Sequence, residues 1–215
     1  MINSRFGHMD NSRPADRATA SAPGELRSAA TRQALLRAAA EVIAKVGWHR
    51  ARTRAIADRA GLPHGAISYH FAGKDQLLRQ AAVAANAAAL KVPVALAQQA
   101  PSVAVLIEQT IAWYAAGGMA DPSVRLLLET AREASRDEGV RAPTAAMLRS
   151  YREHLTELVR KDQQAGNLNS GVPPDGVAAI VAALLDGLLV HLTLDPALEL
   201  GSLITALQDL LGEPR

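Results

Sequence analysis

The stretch GLPHGAISYHFAGKDQLL, residues 61–78, gathers hydrogen-bonding side chains directly after a turn that contains glycine and proline. Its longer hydrogen-bond donors include His64, Tyr69, His70 and Lys74. Three further residues are small enough to let another molecule approach the backbone: Gly65, Ala66 and Ser68. Such a mixture of donors and small residues suits contact with the base edges and phosphates of DNA, if the stretch is presented on a helix.

The same residues give weak support to two other kinds of site. A metal site would need His64, His70 and Asp75 to converge, but an offset of six residues does not place the two histidines on one helical face. A nucleophile pair of Ser68 and His70 is disfavoured because residues two apart on a helix point away from each other. We expect neither a metal site nor a catalytic site here. His70 can also simply bond a carbonyl at the helix end.

Three helices are predicted to position this stretch. Apolar residues recur at spacings of three and four from residue 35 to residue 46, which indicates an amphipathic helix that ends at Gly47. A short second helix follows, which Thr53 can cap and which ends before Gly61. A third helix is predicted from Pro63 to His70, because proline suits a first helical turn. The second and third helices form a helix-turn-helix, whose second helix can enter the major groove of DNA.

Charge is distributed unevenly along the 215 residues. Up to Arg79 there are 13 Lys and Arg against 6 Asp and Glu, whereas from Gln80 onward there are 10 against 15. A cationic first part suggests contact with a polyanion, although a solvated basic surface explains the asymmetry equally well.

The rest of the chain is predicted to be helical, with no strand pattern. The segments are expected near residues 75–97, 102–116, 122–137, 141–165, 174–194 and 197–211. Residues 177–194 are apolar almost all round, but Asp186 and His191 interrupt them, so they indicate a buried helix rather than a membrane span. No secretory signal is recognised, which favours a cytoplasmic location. The predicted organisation is a disordered tail (1–28), a DNA-binding domain (29–79) and an effector-binding and dimerisation domain (80–215).

Several of these segments resemble the TetR family of transcriptional regulators. The resemblance rests on Thr31-Arg32, on Gly47-Trp48, on TRAIADRAGL at 53–62 and on GAISYHFAGKDQLL at 65–78. It implies that the helix at about 64–70 reads bases, that Thr53 and Arg54 touch DNA, and that Tyr69 and Lys74 bind phosphates. Arg32 is expected to contribute a further phosphate contact.

The resemblance also implies that the last two helices form a four-helix bundle with a second copy. LLDGLL at 184–189, followed by LDP at 194–196, is similar to that region of the family. An apolar row on this helix, which a monomer would leave exposed, is the expected dimer interface: Leu184, Leu188 and Leu192.

Members of the family usually hold an effector between the long helix after the DNA-binding domain and the helices that follow. The candidate ligand-binding residues here are Trp113, Met147, Tyr151 and His154. A competing interpretation is that these side chains are ordinary core residues, since Met or Tyr at helical spacing is more often core than pocket.

The sequence therefore predicts an all-α protein of two domains, a homodimer that binds a double-stranded DNA operator and is released by a small-molecule effector. An enzyme is the first alternative, but no phosphate loop, paired catalytic carboxylates or metal-ligand spacing is present in the sequence, and no cofactor is expected. A non-inducible architectural DNA binder is the second alternative, yet it would not need the large apolar remainder of the chain.

Overall fold

A computed structural model describes residues 23–118, 122–195 and 197–211, and within these ranges the chain is helical without any strand, which confirms the predicted all-α class. The ten helices are α1 (Pro23–Val46), α2 (Thr53–Ala60), α3 (Gly65–His70), α4 (Lys74–Ala89), α5 (Lys91–Gln99), α6 (Val103–Ala115), α7 (Pro122–Ala134), α8 (Glu138–Gln164), α9 (Pro174–Leu194) and α10 (Leu200–Leu211).

The first helix is longer than its apolar pattern predicts. Helix α1 begins at Pro23, so residues 23–28, which were predicted to be disordered, are helical. Proline suits a first turn and Glu25 complements the helix dipole, which explains a start ahead of the amphipathic stretch. The remainder of the predicted tail, residues 1–22, lies outside the described residues. Helix α1 ends as predicted, with Gly47 in the left-handed region at φ 81°.

Two local predictions about the helix-turn-helix are wrong. Thr53 does not cap α2, because the N-cap residue is Arg52 and no side chain accepts a hydrogen bond from the first turn. Helix α3 begins at Gly65 rather than at Pro63, which instead opens a single turn through the bond from Ala66 N–H to the Pro63 carbonyl at 2.9 Å.

The predicted helix over residues 75–97 is two helices, since α4 ends at Ala89 and α5 continues after Leu90.

The described residues form two apolar cores. The first joins α1–α4 to the facing sides of α7 and α8, through Leu126 and Val140. The second joins α5, α6, α8, α9 and α10. Ala81 and Ala82 of α4 belong to the first core, so the predicted domain boundary between residues 79 and 80 falls inside a continuous helix that both parts share. Helix α4 and helix α7 therefore connect the DNA-binding part to the remainder.

A buried carboxylate ties α6 to α8 in the second core. Asp162 of α8 is 2% exposed and accepts hydrogen bonds from the Val103 N–H at 2.7 Å and from Asn167 Nδ2 at 3.0 Å. Ser102 caps the same helix end by accepting from the Val105 N–H at 3.2 Å. The negative charge thus lies at the positive end of the α6 dipole, which fixes the start of α6 against α8.

Two described stretches, Lys74–Gln99 and Pro174–Leu194, are long and apolar enough to cross a membrane by length and composition. The first is two helices, α4 and α5, and the second is α9, which packs along α8. Core and interface helices have the same composition, so these stretches are weak evidence for a membrane.

Candidate nucleic-acid interface and ligand cavity

The turn between α2 and α3 sets the orientation of α3. Gly61 has φ 66°, a left-handed conformation that glycine adopts without steric cost, and its N–H and that of Leu62 bond the last carbonyls of α2. Ile67 of α3 is 4% exposed and packs into the first core. Because Ile67 anchors one side of this short helix, the opposite side faces solvent.

Several of the residues predicted to contact DNA lie on the solvent-facing side of α3. Tyr69 is 81% exposed, and its ring packs edge-on against His70 with centroids 4.9 Å apart. Ser68 is exposed and its hydroxyl lies 3.4 Å from the Gly65 carbonyl. Ala66 is half-buried against the core, so of the predicted small residues it is the one with a packing role.

Three predicted DNA contacts lie on the flanks of α3. Thr53 and Arg54 are exposed in the first turn of α2. Lys74 is the first residue of α4. The N-cap residue of this helix is Gly73, so no side chain accepts a hydrogen bond from its first N–H groups at that position. The uncapped N–H groups of α4 and the Lys74 ammonium together form a positive site that suits a phosphate.

Two other residues predicted to contact DNA already contact other side chains of the chain. Arg32 donates a hydrogen bond to Gln80 Oε1, and its guanidinium lies 5.1 Å from the centroid of the Phe71 ring. His64 Nε2 lies 3.1 Å from Asp58 Oδ1, so the imidazole pairs with α2 and not with His70. Both side chains would have to exchange these partners, or share them, to reach DNA.

A basic groove beside α2 was not recognised in the sequence. It has a volume of about 770 Å³, lies between α1, α2 and α7, and contains five cationic side chains: Lys45, Arg50, Arg52, Arg59 and Arg125. Arg59 is paired with Glu41, whereas the other four form no ion pair with any residue of the described ranges. The only sequence signal was the high density of cations over residues 45–59. This groove adjoins the N-terminus of α2 and extends the positive surface.

An ion pair links the helix that begins at Lys74 to the start of α8. Arg79 Nε donates to Asp137 Oδ2 at 2.6 Å, and the other oxygen of Asp137 caps α8 by accepting from the Gly139 N–H at 2.8 Å. The hydrogen bond from Arg79 lowers the pKa of the Asp137 carboxyl, and the same bond raises the pKa of Arg79. One carboxylate therefore holds α4 against α8 and also caps the N-terminus of α8.

Replacing Asp137 with alanine is expected to lower the Tm by about 2–4 °C, because α8 loses its N-cap as well as the ion pair. Arg79→Ala removes only the ion pair of a solvent-accessible arginine, and a smaller change is expected. The pKa of Asp137 is lowered on folding, so its stabilisation is complete above the ordinary carboxyl pKa of 3.8 and disappears as the pH falls through the lowered value. Thermal melts of the parent and both variants across acid pH measure this; equal melting temperatures at neutral pH would contradict the capping role.

A small cavity lies where α4, α5, α6, α7, α8 and α9 meet. Its walls are Ala89, Leu90, Pro93, Thr110, Trp113, Tyr114, Val124, Leu127, Tyr151, Leu185, Asp186 and Leu189. Trp113 and Tyr151, two of the four predicted ligand-binding residues, are among them. The volume of about 40 Å³ has room for roughly one or two water molecules, so a larger ligand has to open the cavity.

The other two predicted ligand-binding residues do not line this cavity. His154 lies on the α5 side of α8, where its Nε2 is 3.5 Å from Gln98 Nε2. Met147 is half-buried on α8 and is absent from the cavity wall. Both residues lie on an apolar face of α8. The cavity is formed by six helices, so the pattern of one helix alone does not show which of its residues line it.

The polar groups of the cavity have altered pKa values. Burial raises the pKa of Tyr114 to about 12, and burial also raises the pKa of Tyr151 well above the usual phenol range. Desolvation raises the pKa of the Asp186 carboxyl, while the charge of Arg152 opposes that change. Both phenols are therefore neutral at physiological pH, whereas Asp186 remains exposed at the edge of the cavity.

The outer face of α9 is apolar and uncovered in the single chain. Ile180 is 71% exposed and Leu194 is 79% exposed, and Leu184 and Val190 lie on the same side. The prediction that Leu188 would be exposed in a monomer is wrong, because Leu188 is 5% exposed and packs in the second core. Leu192 is half-buried. The exposed row is therefore rotated relative to the predicted row of Leu184, Leu188 and Leu192.

Two family models match the sequence. The model described as Bacterial regulatory proteins, tetR family, matches residues 35–81, which include α2, α3 and the turn between them. The model described as BetI-type transcriptional repressor, C-terminal, matches residues 104–213, which is more than half of the chain. No curated protein matches the sequence significantly.

Solved structures have the same fold along most of their length. A proposed transcriptional regulator from Streptomyces coelicolor A3(2) is 24% identical, with 85% of this chain and 99% of that chain covered and a TM-score of 0.65. A proposed regulator from Saccharomonospora viridis in complex with choline is 20% identical, with coverages of 84% and 95% and a TM-score of 0.68. The regulator FadR from Bacillus subtilis in complex with stearoyl-CoA is 19% identical, with coverages of 83% and 96% and a TM-score of 0.64.

These structures establish the arrangement of helices, and the two family models together cover the helix-turn-helix and most of the helical remainder. The chain belongs to the TetR family of bacterial transcriptional regulators.

Proposed function

We propose that this DNA-binding regulator is a cytoplasmic homodimeric repressor, which binds its operator through α3 and leaves it when a small molecule enters the cavity beside Trp113 and Tyr151. The observation that carries the proposal is that α3 has one side packed in the core and the opposite side exposed to solvent. Ile67 fixes the helix to the core while Tyr69 and Ser68 face solvent, and the positive N-termini of α2 and α4 lie on either side. Such a surface provides base contacts at its centre and phosphate contacts at its edges.

A dimer is proposed because one short recognition helix contacts few base pairs. Two copies related by a twofold axis reach half-sites about one turn of DNA apart, roughly 34–36 Å. The uncovered face of α9, with Ile180 and Leu194 at 71% and 79% exposure, supplies an apolar surface that self-association would bury.

A small-molecule effector is proposed because two of the helices that line the cavity, α4 and α7, also pack in the DNA-binding part. Ala89 and Leu90 end α4, which begins at Lys74, and Leu127 lies on α7, whose Leu126 packs in the first core. A ligand larger than the 40 Å³ cavity has to displace these helices, and that displacement changes the position of α3. Two structurally similar regulators were solved in complex with choline and with stearoyl-CoA, which supports a small-molecule ligand for a regulator of this fold.

Lys74→Ala is expected to weaken binding to operator and to random duplex alike, by about tenfold to a hundredfold. The dimer then loses two phosphate contacts, and the slope of log affinity against log salt falls by about two. Lys91→Ala, an exposed lysine at the start of α5, is the matched control and should leave binding unchanged. Fluorescence anisotropy over a series of salt concentrations measures both. A loss confined to the operator with an unchanged slope would assign Lys74 to base reading.

A further inference from the structure

The basic groove between α1, α2 and α7 carries far more positive than negative charge. Its lining has five cationic side chains and one carboxylate, that of Glu41, which is already paired with Arg59. The four remaining cations are exposed and form no ion pair with any described residue: Lys45, Arg50, Arg52 and Arg125. Like charges gathered in one concave space create a positive potential, which an anionic partner would neutralise.

The backbone that carries these cations is packed against the first core. Trp48, in the turn between α1 and α2, is 9% exposed and belongs to that core, and the Ala51 N–H bonds the Trp48 carbonyl at 3.3 Å. Ala51 itself is fully buried, so the two arginines on either side of it project from a turn that is held in place. Arg125 reaches the groove from α7 and is followed by the buried Leu126. The cations therefore do not require the backbone to rearrange before they bind.

The lining of the groove recognises charge and little else. Among the described residues that line it, those without a charge are all Val or Ala, so an aromatic ring or a neutral hydrogen-bonding side chain is not available there. A nucleotide base would find neither a stacking partner nor a base-specific hydrogen bond. Guanidinium groups, by contrast, bind phosphate oxygens through two parallel hydrogen bonds. The groove therefore suits a series of phosphates whose bases point elsewhere.

The groove is continuous with the surface that is predicted to contact DNA. Arg52 lines the groove and is also the N-cap residue of α2, and Thr53 and Arg54 follow it directly and are exposed. In a helix-turn-helix the first helix crosses the DNA backbone. Phosphates follow one another along a strand about every 3.4 Å of helix axis. A strand with one phosphate at Thr53 therefore brings neighbouring phosphates to Arg52 and to the groove.

We propose that the basic groove binds the DNA backbone next to the phosphates at the N-terminus of α2, with Arg50, Arg52 and Arg125 as its phosphate ligands. The contact extends beyond the helix-turn-helix, because Arg125 lies on α7, a helix that also lines the ligand cavity. Phosphate contacts carry no base information, so this contact adds affinity for operator and random duplex alike. The inference rests on the proposed docking of α3 on DNA and adds a second DNA-binding surface.

Loss of the charge on α7 tests the contact. Arg125→Gln is expected to weaken binding of the full-length protein to a random-sequence duplex by about threefold to tenfold. The slope of log affinity against log salt should fall by about two, since a dimer loses two phosphate contacts. Arg125→Lys keeps the charge and should retain the parent slope. Arg132→Gln, at an exposed arginine of the same helix outside the groove, is the matched control and should bind as the parent does.

Ethylation interference locates the contacted phosphates on an operator that the full-length protein selects from random DNA. The parent should be sensitive to ethylation at phosphates next to the α2 contact, and Arg125→Gln should lose sensitivity at those phosphates alone. Identical sensitive phosphates in the parent and in Arg125→Gln, or an unchanged salt slope, would overturn the proposal. Binding of inorganic tripolyphosphate that depends on Arg125, with DNA binding unchanged, would also overturn it, because the groove would then hold a free anion. Thermal melts check that each variant is folded.

Lys74→Ala separates this inference from the proposed function. If Lys74→Ala lowers the salt slope and Arg125→Gln does not, the proposed docking of α3 stands and the groove contact is wrong. If Arg125→Gln lowers the salt slope and Lys74→Ala does not, the groove contact stands and the proposed position of α3 and α4 on DNA is wrong.

Discussion

Replacing Ile180 with glutamate is expected to convert the proposed dimer into a monomer and to weaken operator binding at least a hundredfold. Ile180 is 71% exposed on α9, on the apolar face that also carries Leu184 and Leu194. In a twofold interface the residue occurs twice, so each dimer would bury two new charges. A monomer binds one half-site only, and it loses the gain in effective concentration that links the two binding events, which is typically 10²–10⁴.

Sedimentation velocity and operator titration measure the two effects on the same preparation. Val92→Glu is the matched control. Val92, like Ile180, is an exposed β-branched apolar residue, at 40% exposure, but it lies on α5, away from this face. It should remain a dimer with parent affinity. Leu188→Glu is unsuitable, since a charge at a position that is 5% exposed would disrupt the core of the monomer itself. A dimer of Ile180→Glu would place the interface elsewhere.

The sequence predicted the helices, but it did not predict which face of α9 is exposed, and the difference has a physical cause. Periodicity identifies a helix reliably when one side is apolar, and it located α8 and the C-terminal end of α1 near their true positions. Helix α9 is apolar almost all round, so its pattern contains no information about which side meets α8 and which side is left over. Leu188 and Ile180 are equally hydrophobic in the sequence, and only packing distinguishes them.

The candidate DNA interface was more predictable than the cavity. A helix-turn-helix is a local structure whose glycine, apolar and polar positions lie within some thirty residues, so Gly61, Ile67 and Tyr69 could be assigned from spacing alone. The cavity combines residues from six helices that are distant in sequence, which is why Trp113 and Tyr151 were predicted while Asp186 was not. The basic groove was missed for the same reason, since Arg125 joins it from α7.

One buried residue contradicts the simple hydrophobic pattern of α4. Asn86 is fully buried, and neither its amide nitrogen nor its amide oxygen has a hydrogen-bond partner among the described residues. An unsatisfied buried amide costs about 1–3 kcal/mol, so the packing of α4 is not optimal in this conformation. Asn86 lies one helical turn before Leu90, which is a wall of the cavity. The helix that connects the cavity to Lys74 is therefore less firmly held than its apolar neighbours suggest.

This connection leads to the second large effect, which concerns release from the operator. Trp113→Leu is expected to raise the effector concentration needed for half-release at least about tenfold, while operator affinity without effector stays within a few-fold of the parent. A ligand releases DNA only to the extent that it binds the opened conformation more tightly than the closed one. Trp113 contributes a large aromatic surface to the wall and lies far along the chain from α2 and α3, so its loss should reduce ligand binding and spare DNA binding.

His154→Ala is the matched control for this prediction, because His154 also lies on a helix of the second core but contacts Gln98 rather than the cavity. It should be released from the operator by the same effector at the parent concentration. The measurement is a titration of effector into the preformed protein–DNA complex, followed by anisotropy of labelled operator. Normal release of Trp113→Leu together with lost release of His154→Ala would move the effector site to the contact between α5 and α8. In that case the ligand would act on α5, and the walls formed by Leu90 and Leu127 would not transmit the change to α4 and α7.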